Sequence, residues 1–205
     1  MALIQHQVGE LIYHTAENLD AIAEVAHGFS TRLGGVSTGA LASLNLRGAN
    51  VSGDAAEHVA ENYRRFCAAI GADHRRVVLS HQVHRDTVRV VTEADAGKGL
   101  YRERDYEADA LITNVPDLPL FVFSADCMVI LLCDPVAGCV GAVHAGWRGT
   151  AQEIVRKTVE RMAETFGARS ERLQAAIGAG IDRCCFETDR DVPEAIERGM
   201  GVGAA

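Results

Sequence analysis

A chain of 205 residues, 48% hydrophobic and 23% charged, can bury a sizeable core, and one domain over residues 1–205 is expected. Its formal net charge of −8 and pI near 5.5 disfavour non-specific binding to nucleic acid or to an anionic membrane, so an anionic small substrate would need arginines focused in a cleft. No apolar run approaches a membrane span and Met1–Gln7 lacks the regions of a secretory leader, which makes a soluble, cytoplasmic protein the expectation.

Strands are expected at Gly9–Tyr13 and Ala26–Ser30. The stretch Gly28–Gly39, followed by Ser43-Leu44-Asn45, is rich in glycine and carries Arg32. Such glycines let backbone amides approach a ligand and Arg32 supplies charge for a phosphate, although the same composition suits a turn-rich connection. A helix fits Ala55–Ile70, with Val59, Tyr63, Phe66 and Ile70 near helical spacing and Gly71 as its stop. Strands follow at Val77–Leu79, Thr87–Val91 and Ala110–Thr113, and then a hairpin. Its first arm runs through Phe121-Val122-Phe123 and Val129–Leu132, its turn is Asp134–Gly138 and its second arm is Val140–Val143. A helix over Thr150–Phe166, stopped by Gly167, and a strand at Leu173–Ile177 complete the pattern. Hairpins mixed with helices predict an α+β fold with mixed sheets. The six cysteines are irregularly spaced and do not resemble a disulfide framework; adjacent Cys184 and Cys185 read as reduced thiols near a turn.

Three residues in this pattern suit one metal: His84, Cys127 and His144. Two imidazoles and a thiolate are zinc ligands, and three protein ligands with a fourth position open is the catalytic arrangement. If Asp134 pairs with Ala137, the hairpin sets Cys127 directly opposite His144, with Cβ atoms roughly 4.5 to 5.5 Å apart. Taken singly, each of the three also reads as an ordinary buried cysteine or strand-end histidine. His81 lies three residues before His84 and is expected to stay out of the ligand set, because an extended segment points the two side chains to opposite faces.

Gly28–Gly39, Ser43-Leu44-Asn45, Gln82-Val83-His84, Ala108-Asp109-Ala110, Ala125-Asp126-Cys127, His144–Gly149 and Ile177-Gly178 through Cys184-Cys185-Phe186-Glu187 occur in this order. Together they resemble the laccase-domain, or polyphenol oxidase, family, regarded as purine nucleoside phosphorylases with added adenosine deaminase activity. The resemblance implies a layered sandwich of mixed β-sheets flanked by helices, with zinc on His84, Cys127 and His144; copper is the alternative metal, from the family's older phenol-oxidase label. It implies phosphorolysis of adenosine, inosine, guanosine or methylthioadenosine to base and ribose 1-phosphate, and deamination of adenosine. His-x-His pairs and a His-Cys-His cluster, which a multicopper laccase needs, are absent, as is the Pro-Cys-x-x-Cys signature of cytidine-type deaminases. In this reading Arg148 and Arg32 hold phosphate, Asn45 reads the nucleoside and Ser43 is a further substrate- or phosphate-binding residue. Asp126 moves a proton, orients a ligand or supports the turn. The chain departs from the family with Arg85 where Gly is usual, Ala179 where Pro is usual, and an end at Ala205 before the usual Arg-rich C-terminal segment, which is expected to supply sheet or pocket wall. Two other functions fit the same residues: a metal-free cysteine hydrolase with Cys127 as nucleophile and His144 as base, and a nucleoside-binding domain without turnover.

Overall fold

The computed structural model describes residues 2–201 and Gly203; Met1, Val202, Ala204 and Ala205, included in the one-domain expectation, lie outside the described residues. Strands β1 (Leu3–Val8) and β2 (Leu11–Ala16) form an antiparallel hairpin closed by Gly9-Glu10, with Gly9 at φ +62°. The expected strand at Gly9–Tyr13 therefore begins two residues later and runs on to Ala16. β1 carried no signal because its side chains are nearly all exposed, without the alternation that marks a half-buried strand. Then follow α1 (Glu17–Asp20), β3 (Phe29–Ser30), α2 (Ala49–Ser52) and α3 (Ala56–Ala69). α3 stops at Gly71, whose φ of +76° is the left-handed cap that glycine provides most readily.

Next come β4 (Val78–Leu79), β5 (Val88–Val90), β6 (Ala110–Thr113), β7 (Leu120–Phe121), β8 (Met128–Asp134) and β9 (Cys139–Ala145). The chain continues through α4 (Trp147–Ala151), α5 (Ile154–Phe166), β10 (Gln174–Ile177) and α6 (Asp191–Met200). The sheets are a three-stranded antiparallel β1-β2-β3, a five-stranded mixed β10-β8-β9-β6-β5 and a parallel pair β4-β7. The fold is α+β, as expected. Ile154 and Met162 of α5 pack on Ile112, Ile130, Leu132 and Val143 of the five-stranded sheet. Ala16 and Leu19 meet Cys133 and Ala176 in a separate core cluster. Val59, Tyr63 and Cys67 of α3 close over Val77 and Leu79. All six cysteines are free.

Three expectations are corrected by the structure. Phe121 belongs to β7, which pairs with β4, so the first hairpin arm begins only at Met128 and residues 122–127 form a loop. The hairpin register is also different: Asp134 pairs with Cys139, and His144 with Val129 rather than with Cys127. The cause is the turn. Asp134 Oδ1 accepts the N–H groups of Val136 (2.9 Å) and Ala137 (3.0 Å), and Gly138 takes φ +62°, so four residues are spent between the arms instead of two. A slip of two residues preserves which face each side chain occupies.

The third correction concerns Thr150–Phe166, which is not one helix. Glu153 sits at φ +59° between α4 and α5, with its carboxylate held by the Arg156 guanidinium at 2.6 Å. No glycine or proline marks that break. α6 was missed although Pro193 near its start is a legible helix-opening signal. It packs so closely on α4 that a Cβ on Gly199 would lie 1.7 Å from the Ala151 carbonyl oxygen.

Candidate metal centre

The three proposed ligands come from one strand and two separate loops. His144 is the penultimate residue of β9 and is buried. Cys127, half-buried, ends the loop that enters β8, where the Ser124 hydroxyl donates to its carbonyl oxygen. His84 is exposed, at the tip of the loop after β4, with φ +59°. One ligand atom from each of the three lies within 4.8 Å of the other two, and the two imidazoles meet edge to face with centroids 4.8 Å apart. Gly146 makes room for them. A Cβ there would sit 3.1 Å from Cys127 Sγ and 3.1 Å from His84 Cδ2.

The donor set fits a metal on its chemistry: one sulfur and two imidazole nitrogens converge, and the glycine beside them leaves space. Burial, with the charges of Asp126 and Asp109, pushes the Cys127 thiol up. That is opposite to the acidification a metal-free nucleophile needs, whereas a bound cation deprotonates a coordinating thiol. Asp109 is the residue that the site analysis of the sequence missed, although Ala108-Asp109-Ala110 was among its motifs. Its carboxylate accepts the His144 Nδ1–H at 2.8 Å and the N–H groups of Val83, His84 and Arg85 at 3.2, 3.0 and 2.9 Å. Burial alone would raise this carboxyl, but those hydrogen bonds hold it below the usual range. Because the positive φ falls at His84 and not at Arg85, a side chain fits where the family usually has glycine.

The three candidate ligands line a cleft of about 1840 Å³, together with Asp126, Arg32 and Asn45. Asp126 is exposed there and its carbonyl accepts Ile181 N–H at 2.8 Å, tying the segment after β10 to the Cys127 loop. Arg32 spends Nε and Nη2 on the Ala42 carbonyl (3.2 and 2.7 Å). Asn45 Nδ2 donates to Ser52 Oγ (3.1 Å) and Asp54 Oδ2 (2.8 Å). Ser43 and Arg148 are not in the cleft lining. Ser43 Oγ accepts Gly35 N–H at 3.2 Å, while Arg148 is exposed, its guanidinium 4.0 Å above the Trp147 ring.

The glycine loop packs against the protein itself. A Cβ on Gly34 would lie 2.1 Å from Leu11 Cα, and one on Gly35 2.1 Å from the Ser43 carbonyl. The amides of Val36 and Ser37 are taken by Asn62 Oδ1 (2.8 Å) and the Ser43 carbonyl (3.0 Å). Gly34 and Gly35 thus serve close backbone contact.

His81 is outside the cluster of His84, Cys127 and His144; its backbone is engaged with Tyr106 and Ala108. His81→Ala is therefore expected to retain bound metal at the parent's level by elemental analysis, and loss as complete as in His84→Ala would refute that placement.

The sequence profile described as "Multi-copper polyphenol oxidoreductase laccase" matches residues 26–202. A Deinococcus radiodurans protein named purine nucleoside phosphorylase is 42% identical over 179 residues, covering 87% of this chain and 65% of the relative. One of the same name from Bacteroides thetaiotaomicron is 35% identical, covering 89% and 67%. The crystal structure of YlmD from Geobacillus stearothermophilus superposes with a TM-score of 0.84 at 31% identity, over 95% of this chain and 71% of that one. The chain thus spans about two thirds of the length of these relatives. Among the described residues no helix is long and apolar enough to cross a membrane. With the profile covering most of its length, the chain belongs to the multi-copper polyphenol oxidoreductase laccase family.

Proposed function

We propose that this chain is a zinc-dependent purine nucleoside phosphorylase, acting on adenosine, inosine, guanosine or methylthioadenosine, with adenosine deaminase activity at the same site. The observation that carries this reading is the convergence of His84, Cys127 and His144 at the wall of a cleft, in a chain similar to proteins named purine nucleoside phosphorylase. The three candidate ligands lie at one end of a long cleft that runs on to the β8–β9 turn at Pro135 and Gly138, which gives a small ligand a route to them. Zinc bound there supplies a Lewis acid that activates water at neutral pH, as deamination requires.

In phosphorolysis a phosphate oxygen bonds to the ribose anomeric carbon while the bond to the purine nitrogen breaks, and the departing base takes a proton. This chain's part is to position the phosphate and to manage that proton. Arg32 keeps Nη1 available after its two bonds to Ala42 and lines the cleft, so it is the first candidate for phosphate; Arg148 is the second, if its guanidinium leaves the Trp147 face. Asp126, exposed beside Cys127, is the candidate to hold a proton at the base, and Asn45, in the cleft lining, is the candidate to face the nucleoside, while Ser43 holds the loop behind it through Gly35. Copper remains the alternative metal, distinguished by elemental analysis. A metal-free cysteine hydrolase is disfavoured by the raised Cys127 thiol.

The test is chromatography of products from adenosine with and without phosphate, using protein whose zinc content has been measured. Adenine with ribose 1-phosphate, formed only with phosphate, is expected, together with inosine in either condition. A folded, zinc-loaded sample that yields neither adenine nor inosine overturns the reading. Arg32→Ala is expected to raise the KM for phosphate roughly tenfold, about the loss of one charge-assisted hydrogen bond, while bound zinc stays unchanged. An unaltered phosphate KM would remove Arg32 from the site and leave Arg148 as the candidate.

A further inference from the structure

Asp109 is fully buried and has no solvent to satisfy it, yet both of its carboxylate oxygens are occupied. Oδ1 faces the His84 N–H and His144 Nδ1; Oδ2 faces the N–H groups of Val83 and Arg85. Three of those four partners are backbone donors, so this carboxylate acts as an acceptor only. The hydrogen shared with His144 must then belong to the imidazole. With Nδ1 protonated, the neutral ring carries its lone pair on Nε2, where a metal could be bound. The remaining contacts hold the backbone on both sides of His84, a residue whose left-handed φ of +59° is uncommon for a side chain larger than glycine. The Asp109 carbonyl also accepts the His144 N–H at 2.7 Å, fixing β9 from the backbone.

We infer that Asp109 is the positioning residue of the site: one buried carboxylate sets the tautomer of His144 and the backbone of His84 together, so that the ligands stand in place before a metal arrives. This rests on the metal reading of His84, Cys127 and His144. Asp109 touches no substrate or metal in this role and acts through the two histidines.

Asparagine separates the charge and acceptor pattern from the size. If the Asp109→Asn amide nitrogen takes the Oδ1 position, it meets the His84 N–H and can satisfy His144 only by donating to Nδ1, which moves the ring proton to Nε2 and blocks that nitrogen as a ligand. If it takes the Oδ2 position, it meets the N–H groups of Val83 and Arg85, and the His84 arm is released. Both placements weaken the site.

The experiment has two arms. In the metal-free parent protein, nitrogen-15 spectra of the histidine rings are expected to show His144 protonated at Nδ1, and the amides of Val83, His84 and Arg85 are expected to be protected from hydrogen exchange. In Asp109→Asn, zinc affinity measured by chelator competition is expected to fall roughly 10- to 100-fold, the usual loss for an outer partner of a metal ligand, with either the His144 proton moved to Nε2 or protection lost at residues 83–85. A parent His144 protonated at Nε2, or unprotected amides at 83–85, overturns the inference even if the variant fails to fold. Zinc binding by the parent that is undiminished in a folded Asp109→Asn overturns the role of Asp109 alone. A parent that binds no zinc overturns the metal reading and this inference with it.

Discussion

Cys127→Ala is expected to lose bound zinc after dialysis and to lose phosphorolysis with it, by more than the roughly 10- to 100-fold that removal of an outer partner costs. Cys127 supplies the one sulfur of the set, and two imidazoles alone leave too few protein ligands for a zinc site. The fold should survive the change. Cys127 is half-buried at the end of a loop, and its ties to Ser124 use its backbone carbonyl, not its thiol. Circular dichroism and a denaturation midpoint close to the parent's would separate loss of metal from loss of structure. The same variant bears on the hydrolase alternative: there, alanine would abolish covalent adduct formation without changing metal content, because no metal was held. If Cys127→Ala purifies with as much zinc as the parent, Cys127 is not a ligand.

The two histidines and the cysteine were legible because their chemistry is rare in such a sequence context, and because β8, which Cys127 immediately precedes, and β9, which carries His144, show clear apolar runs. The geometry that joins them was only partly legible. The tight-turn reading of Asp134–Gly138 put Cys127 and His144 opposite each other, but Asp134 folds back on two amides of its own turn, and that side-chain bond has no periodicity to reveal it. His84 came within reach through a left-handed residue, for which histidine gives no warning. Asp109 was hidden for a related reason: its partners are three backbone groups about 25 residues away and one imidazole on another strand, so no spacing rule links them. The break at Glu153 also lacks glycine or proline, and a left-handed φ at glutamate leaves no mark in the sequence. Helices α3 and α5, by contrast, were recognisable from spacing and from the glycines that end them.

Asp134→Ala is expected to cost roughly 2 to 4 kcal/mol of stability, the scale for leaving several buried donors without their acceptor. Asp134 is fully buried and accepts from the N–H groups of Val136, Ala137 and Arg169 and from the Arg172 guanidinium at 2.9 Å. It therefore pins the β8–β9 turn to the segment that follows α5. Burial raises its carboxyl, but the bonds from Ala137, Arg169, Arg172 and Val136 prevail and bring it to about 2 from an ordinary 3.8. A depressed folded value stabilises the protein above the unfolded pKa, and the contribution fades as pH falls from about 3.8 toward 2. Urea denaturation of the parent and of Asp134→Asn across that window should show the parent's midpoint falling more steeply, with equal slopes in urea. Parallel pH profiles would mean that Asp134 does not carry this contribution. The consequence reaches the metal centre through register: a turn freed from Asp134 no longer favours the four-residue connection that sets His144 opposite Val129. A two-residue slip would keep His144 on the cleft face but displace it along the strand from Asp109 and His84, so zinc affinity should weaken in Asp134→Ala even though Asp134 touches none of the proposed ligands.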